Sequence, residues 1–178
     1  MKILLPVLVL VLTSAAFGQT VKAKVAKFEQ AKYYSVFYEP TGKTTTIKSP
    51  PRSTPRSNDI AFRVIEQWME MNFPGTEPNG NATLDLVIED GSFAEYYKND
   101  HHLTFVVDGT AVDLGDGSRT VRKGSMFDYV ETMTYRLNAD QMAALAKAKI
   151  ITMRVGKFEG TLDTQTIATF RNMVSLMK

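Results

Sequence analysis

The sequence predicts a single α+β domain that is mostly antiparallel β-sheet. Three observations lead to this class. Apolar and polar residues alternate with a period of two through much of the chain, which indicates strands with one wet face. Asp-Gly pairs, which are typical of tight hairpin turns, recur along the centre of the chain. Apolar residues with helical spacing are confined to three stretches, near residues 59–72, 139–147 and 164–177.

Residues 1–18 have the pattern of a secretory signal peptide. A lysine follows the first methionine, residues 3–12 form an apolar run, and small residues follow up to Gly18, where cleavage is expected. A run of about ten residues is too short to cross a bilayer, which takes about twenty. We therefore expect a secreted or periplasmic protein with one domain over residues 19–178 and no transmembrane anchor once the leader is removed. The alternative is a leader that remains as an uncut anchor.

Composition limits the chemistry that is open to this protein. The chain has no cysteine, which excludes disulfides, thiol nucleophiles and thiolate metal sites. The net charge is +2, and this near-neutrality argues against a nucleic-acid partner because phosphate binding needs a basic surplus. Glycine-rich motifs that hold phosphates are also missing from the sequence, so we expect no cofactor.

The first third of the mature chain is predicted to be β-structure followed by a loop. Residues 21–25 alternate apolar residues with lysines and indicate a strand. Residues 32–49 indicate a hairpin whose turn is marked by Pro40 and Gly42. Residues 49–58 are rich in proline, serine and arginine, and they are predicted to form an exposed loop because proline lacks a backbone donor.

The stretch 59–72 is predicted to be the first helix. Ile60, Val64, Trp68 and Met71 recur at helical spacing, and a proline and a glycine follow where the helix would end. On this interpretation the tryptophan side chain is a core anchor on the apolar stripe.

The pair Asp108-Gly109 is predicted to be the turn of a hairpin over residues 102–115. A two-residue turn at this position collects five apolar side chains and one threonine on a single face, and a slip of one residue would mix the two faces. The expected cross-strand pairs are Val107 with Thr110, Phe105 with Val112, and Leu103 with Leu114.

Two further Asp-Gly pairs are predicted to be turns of the same meander. Asp90-Gly91 would bring Ile88 opposite Phe93, and Asp116-Gly117 would bring Val112 opposite Val121.

The C-terminal third is predicted to run strand, helix, strand, strand, helix. The first helix lies near 139–147, where Asn138 and Gln141 resemble a capping box, and the second lies near 164–177. The two strands between them turn at Gly156-Lys157.

Catalytic candidates are few. His101 and His102 are adjacent, so on a strand their side chains point to opposite faces and do not easily chelate one ion. The acidic loop that follows them does not match a calcium-binding pattern, and we expect no metal site. A hydrolase would have to use His101 or His102 with a carboxylate such as Asp100 or Asp113, and no nucleophile motif accompanies them.

Tyrosines are the candidates for binding. Tyr33 with Tyr34, and Tyr96 with Tyr97, are adjacent pairs in which one ring of each would point outward from a strand. Exposed tyrosines serve protein or glycan contacts, although each of these side chains is also explained by a place at the core edge. Asn81 begins an N-glycosylation pattern that has meaning in a eukaryotic secretory pathway alone.

The sequence as a whole favours a non-catalytic binding or interaction module, exported to the cell envelope or the extracellular space. Its partner would be an unidentified protein or envelope ligand. The alternative is a small periplasmic hydrolase built on His101 or His102. A third class is a structural component of the envelope, which would be recognised first by oligomerisation.

Overall fold

A computed structural model describes residues 34–53, 64–75 and 81–177. The predicted signal peptide over 1–18, the predicted strand at 21–25 and the second half of the loop predicted over 49–58 lie outside the described residues. In the first half of that predicted loop, Arg52–Ser53 form a short strand.

The described chain forms two antiparallel sheets and two helices. The larger sheet has seven strands in the order β1-β2-β4-β5-β9-β8, and β3 pairs with β4 beside β2. Its strands are β1 (Ser35–Glu39), β2 (Thr44–Lys48), β3 (Arg52–Ser53), β4 (Val64–Pro74), β5 (Thr83–Ser92), β8 (Ser118–Arg122) and β9 (Tyr129–Leu137).

The smaller sheet has four strands in the order β11-β10-β6-β7. Its strands are β6 (His102–Val107), β7 (Thr110–Asp116), β10 (Ile151–Val155) and β11 (Phe158–Thr161), and the helices are α1 (Ala139–Lys147) and α2 (Thr164–Leu176). This confirms a mostly antiparallel sheet with two helices near the C-terminus.

The helix predicted over 59–72 is wrong for the residues that the structure describes. Residues 64–74 form strand β4, the long central strand of the larger sheet, which pairs with β2 on one side and β5 on the other. Alternate side chains from Ile65 to Phe73 are buried, which is the period of a strand. The apolar residues of this segment satisfy both a helical and a strand period, and the two neighbouring strands decide between them because they supply the ladder hydrogen bonds.

The turn at Asp108-Gly109 joins β6 to β7, and both turn residues have positive φ, 48° and 88°. Val107 lies opposite Thr110 and Phe105 lies opposite Val112. A bulge between Leu103 and Thr104 then shifts the register, so that Leu103 lies opposite Gly115 instead of Leu114.

The other two Asp-Gly pairs do not form hairpin turns. Asp90 and Gly91 lie inside β5, opposite Glu131 and Val130 of β9. The Asp116-Gly117 pair is a corner at which the chain leaves the smaller sheet and enters the larger one as β8.

Gly117 is needed at this corner because of space. A Cβ atom at this position would lie 2.8 Å from the carbonyl oxygen of Thr134 and 2.7 Å from the ring of Tyr135. Because β8 belongs to the larger sheet, Val121 pairs with Glu131 of β9, and the predicted pairing of Val121 with Val112 is wrong.

Local signals account for both helices. The Asn138 side chain accepts from the Gln141 amide at 2.9 Å, and the Gln141 side chain accepts from the Asn138 amide at 2.8 Å, which completes the predicted capping box. Asp163 caps the second helix through the Thr166 amide at 2.6 Å.

One apolar core fills the space between the larger sheet, the smaller sheet and α2. The inner face of the larger sheet contributes residues such as Met69 and Leu86, the smaller sheet contributes Phe105, and α2 contributes Phe170. The rings of Phe105 and Phe170 are 6.1 Å apart. Within the described ranges, none of the helices is long and apolar enough to cross a bilayer.

Candidate functional site

The two histidines predicted as catalytic candidates are directed to different partners. Nε2 of His102 lies 2.8 Å from Asp113 and Nδ1 lies 3.0 Å from Asp116, so both ring nitrogens face carboxylates. His101 lies on the other side of the backbone, with Nδ1 3.2 Å from the carbonyl oxygen of Tyr97. Asp100 accepts from the His102 backbone amide at 3.3 Å.

The hydrogen bond to Asp116, with the nearby charge of Asp113, raises the pKa of His102 above its ordinary value. A carboxylate accepts hydrogen bonds and does not donate, so both ring nitrogens donate at once when the imidazole is protonated. This arrangement therefore favours the protonated form of His102, which makes an exposed ion-pair cluster with Asp113 and Asp116.

The predicted tyrosine pairs are placed differently from one another. Tyr97 is 1% exposed and belongs to the core, whereas Tyr96 beside it is 45% exposed. Tyr34 packs against the core from a half-buried position, where burial raises the pKa of its phenol. Tyr33 lies outside the described residues. Tyr34 lies beside α2, where it contacts Asn172 and Thr169.

The segment that carries Tyr96 is fastened to the larger sheet by a buried carboxylate. Glu131 of β9 has no solvent exposure, and its oxygens accept from the backbone amides of Tyr96 at 2.7 Å and Tyr97 at 3.0 Å. Arg119 of β8 binds the same carboxylate at 2.7 Å and binds Glu95 at 2.7 Å. These contacts fix the β5–β6 loop, residues 93–101, at one end of the larger sheet.

A cleft opens at this end, on the outer face of the larger sheet, and we call it the β8–β9 cleft. It has a volume of about 240 Å³ and lies beneath the β8–β9 loop, residues 123–128. The residues of its lining that bear on function are Glu66, Glu89, Arg122, Met126, Phe127 and Val130.

Two carboxylates lie side by side at the floor of this cleft. Glu66 of β4 and Glu89 of β5 are direct cross-strand partners, so their side chains leave the sheet side by side. Glu89 accepts from Arg122 at 3.2 Å and from the Thr132 hydroxyl at 3.3 Å. Among the described residues, none forms an ion pair with Glu66. Like charges directly opposite each other in a sheet are unfavourable, and within the described ranges Arg122 balances only one of these two carboxylates.

The wall of the cleft is apolar and largely exposed. Met126 is 77% exposed, and Phe127 makes an edge-to-face contact with Phe93 at a centroid distance of 5.7 Å. Phe93 is itself 58% exposed. The described chain places most of its large exposed apolar side chains at this end of the sheet: Phe93, Tyr96, Val121 and Met126.

The cleft was not predicted from the sequence because two of the predicted elements are incompatible with it. The helix predicted over 59–72 separates Glu66 from Glu89. The turn predicted at Asp90-Gly91 removes Gly91 from strand β5, on which the Phe127 ring packs. A signal was present in the period-two alternation of apolar and polar residues from Met69 to Phe73, which also fits a strand.

No cluster of three or more metal-ligating side chains occurs in the part of the chain that the structure describes. Comparison of the chain with protein-family models, with curated proteins and with solved structures finds no match.

Proposed function

We propose that this protein is an exported, non-catalytic binding module of the cell envelope or the extracellular space, and that the β8–β9 cleft receives a cationic side chain of a partner protein. The observation that carries this proposal is the cross-strand pair of carboxylates, Glu66 and Glu89. Within the described residues, Arg122 is the one cation that forms an ion pair with either of them. A lysine or arginine of a partner would supply the missing positive charge.

The apolar wall supports a protein partner over a free ion. The stem of a lysine or arginine is aliphatic, and it would lie along Met126 and Phe127 while its charged end reaches the carboxylates. The Phe127 ring also offers a face to a cation. Exposed apolar residues gathered at one end of a molecule and flanked by charges are typical of an interaction surface.

The predicted signal peptide over residues 1–18 supports export. The first step of a test is N-terminal sequencing of the protein recovered from the medium or the periplasm. Recovery of a chain that starts near Gln19 is expected. A chain that keeps Met1 and stays with the membrane would contradict the export part of the proposal.

The cleft is tested by titrating the purified protein with a capped nine-residue peptide that alternates lysine and valine, followed by NMR. We expect binding that weakens as the salt concentration rises. We also expect chemical-shift changes at the NMR signals of Arg122 and Met126. The matched peptide with glutamate in place of lysine should not bind. Equal affinity for the two peptides would overturn the proposal.

A pair of variants locates the binding to the carboxylates. Glu66→Gln is expected to weaken the lysine peptide by about threefold to tenfold, because a partly exposed ion pair contributes modestly. Glu159→Gln is the matched control, since it makes the same charge change on β11 of the smaller sheet. Identical losses in both variants would indicate general charge attraction and not this cleft.

The second candidate is the small hydrolase, and one observation favours it. His102 lies 2.8 Å from Asp113, one of the two pairings that the sequence suggested. Against it, Asp116 holds the other ring nitrogen, and a general base needs a nitrogen that is free to accept a proton. Hydrolysis of ester, peptide or glycan panels that is lost in His102→Ala, with His101→Ala as its companion, would select the hydrolase.

A further inference from the structure

A buried glutamine on the inner face of the larger sheet has an amide group without hydrogen bonds. Gln67 of β4 is 1% exposed and lies between Ile65 and Met69, which belong to the apolar core. Among the described residues, none bonds to its amide oxygen or to its amide nitrogen. Buried polar groups in proteins are nearly always paired, and an unpaired amide lowers the stability of the fold. Retention of this glutamine in the core therefore needs a reason other than stability.

An arginine lies directly beside this amide. Arg52 of β3 is the cross-strand partner of Gln67, so the two side chains leave the sheet on the same inner face. The Nε atom of Arg52 is buried without an acceptor, and within the described ranges Arg52 forms no ion pair. The side chain is partly exposed, so the pair can be approached from outside. The other arginines of the described chain bind a carboxylate or a backbone carbonyl oxygen: Arg119, Arg122, Arg136, Arg154 and Arg171.

The hydroxyl group of Tyr34 is the third polar group at this place. It is buried close to Asn172 and Thr169 of α2, without a bond of good hydrogen-bonding geometry to either side chain, and it lies within range of the Arg52 charge. Burial raises the pKa of this phenol, so the hydroxyl stays protonated and can donate. Arg52 thus connects Gln67, its neighbour in the sheet, with Tyr34, which lies beside α2.

The donors and acceptors of these three side chains define the chemistry of a ligand. A carboxylate matches the planar guanidinium of Arg52 through two parallel hydrogen bonds, and a phenol and an amide nitrogen donate to it as well. The amide oxygen of Gln67 accepts, so the ligand also needs a donor, such as a hydroxyl next to its carboxylate. The single positive charge of Arg52 balances one negative charge, whereas a phosphate dianion would leave a surplus charge in a partly buried place.

We propose that Tyr34, Arg52 and Gln67 form a second binding site, which takes a small hydroxycarboxylate with a single negative charge. Arg52 binds the carboxylate, Tyr34 donates to it, and the Gln67 amide pairs with the carboxylate and the neighbouring hydroxyl. The site lies on the inner side of the larger sheet, whereas the β8–β9 cleft lies on the outer face. It therefore stands or falls independently of the proposed function.

The probe is lactate, titrated into the purified protein at constant ionic strength and followed by NMR. We expect chemical-shift changes at the side-chain amide signals of Gln67 and the ring signals of Tyr34. Lactamide, which keeps the hydroxyl but is neutral, should bind about tenfold more weakly or worse, and propionate, which lacks the hydroxyl, about threefold more weakly or worse. Equal affinity of lactate and either analogue would overturn the assignment. No response to lactate would attribute the unpaired atoms to bridging water and overturn the proposal as a whole.

A pair of variants tests the role of the arginine. Arg52→Gln should weaken lactate binding by about tenfold or more, because the bonds to the carboxylate lose their charge. Arg154→Gln is the matched control, since it makes the same charge change at a half-exposed arginine of the smaller sheet. Equal losses in the two variants would show that net charge attracts lactate and would overturn the site.

Gln67→Leu separates a binding role from a structural one. Leucine is of similar size and removes both unpaired atoms, so the midpoint of urea unfolding in the absence of lactate should stay the same or rise. Lactate affinity should fall by about tenfold, as expected when a residue is kept for function at the expense of stability. A lower urea midpoint with unchanged lactate affinity would show that Gln67 supports the fold alone, and would overturn the proposal.

Discussion

The ring of Phe127 lies directly on Gly91. A Cβ atom at Gly91 would come within 2.5 Å of the ring, a distance that real Cβ atoms do not tolerate. Glycine in the middle of a strand is unfavourable by itself, and here it admits a side chain from the β8–β9 loop to the outer face of the sheet. The depth of the β8–β9 cleft depends on this contact, since Phe127 forms its wall.

Gly91→Ala is therefore expected to displace Phe127 and to weaken binding of the lysine–valine peptide by about tenfold, with destabilisation of about 1–3 kcal/mol from overpacking. Peptide titration and urea unfolding measure the two effects. Gly42→Ala is the control, because the added Cβ meets the flexible end of Glu39 in an exposed turn on the far side of the sheet. Unchanged peptide affinity in Gly91→Ala would show that Phe127 does not shape the cleft.

Glu131 is expected to be among the most sensitive polar residues of the described chain. Glu131→Ala removes the acceptor of two backbone amides and leaves Arg119, whose side chain is 16% exposed, with Glu95 alone. Loss of one partner of a buried ion pair costs about 3–5 kcal/mol. Urea unfolding gives the free energy directly.

The matched control for this substitution is Glu159→Ala. Its ion pair with Arg154 is short, at 2.6 Å, but both side chains are more than half exposed. An exposed pair contributes about 0–1 kcal/mol. Similar losses in the two variants would refute the importance of burial at Glu131.

The His102 cluster predicts a dependence of stability on pH. Its pKa is raised in the folded state, chiefly by the hydrogen bond to Asp116, so the folded protein binds this proton more tightly than the unfolded chain. The stabilisation is complete below the ordinary histidine pKa, and it is lost as pH rises through the higher pKa of the folded state.

The measurement is the melting temperature from about pH 5.5 to about pH 8.5, the range in which histidine titrates. The melting temperature of the unsubstituted protein should fall with rising pH by more than that of the His102→Gln variant. His101→Gln is the companion, because His101 contacts a backbone carbonyl and no carboxylate of the described chain. Parallel profiles for the protein and His102→Gln would contradict the assignment.

Local sequence signals were sufficient for some elements and insufficient for others. Asn138, Gln141 and Asp163 cap the two C-terminal helices through contacts with residues three positions away, and such signals are visible in the sequence. Asp108-Gly109 was equally local, because the turn needs positive φ at both positions.

The segment from Val64 to Pro74 is one whose secondary structure local sequence signals do not decide. Its apolar residues fit a helix and a strand, and the choice depends on β2 and β5, which are distant in sequence. The same limit applies to Asp90-Gly91, where an Asp-Gly pair that resembles a turn is held inside β5 by its pairing with β9.

By itself the sequence determined the class of the fold, the two C-terminal helices and the hairpin turn at Asp108-Gly109, because each depends on periodicity or on contacts between near neighbours. Tertiary structure decided the site. Glu66 and Glu89 become neighbours through the register of β4 and β5, and Phe127 reaches Gly91 through a loop that follows β8. Register and loop packing minimise the free energy of the whole sheet, so no short window of sequence contains them.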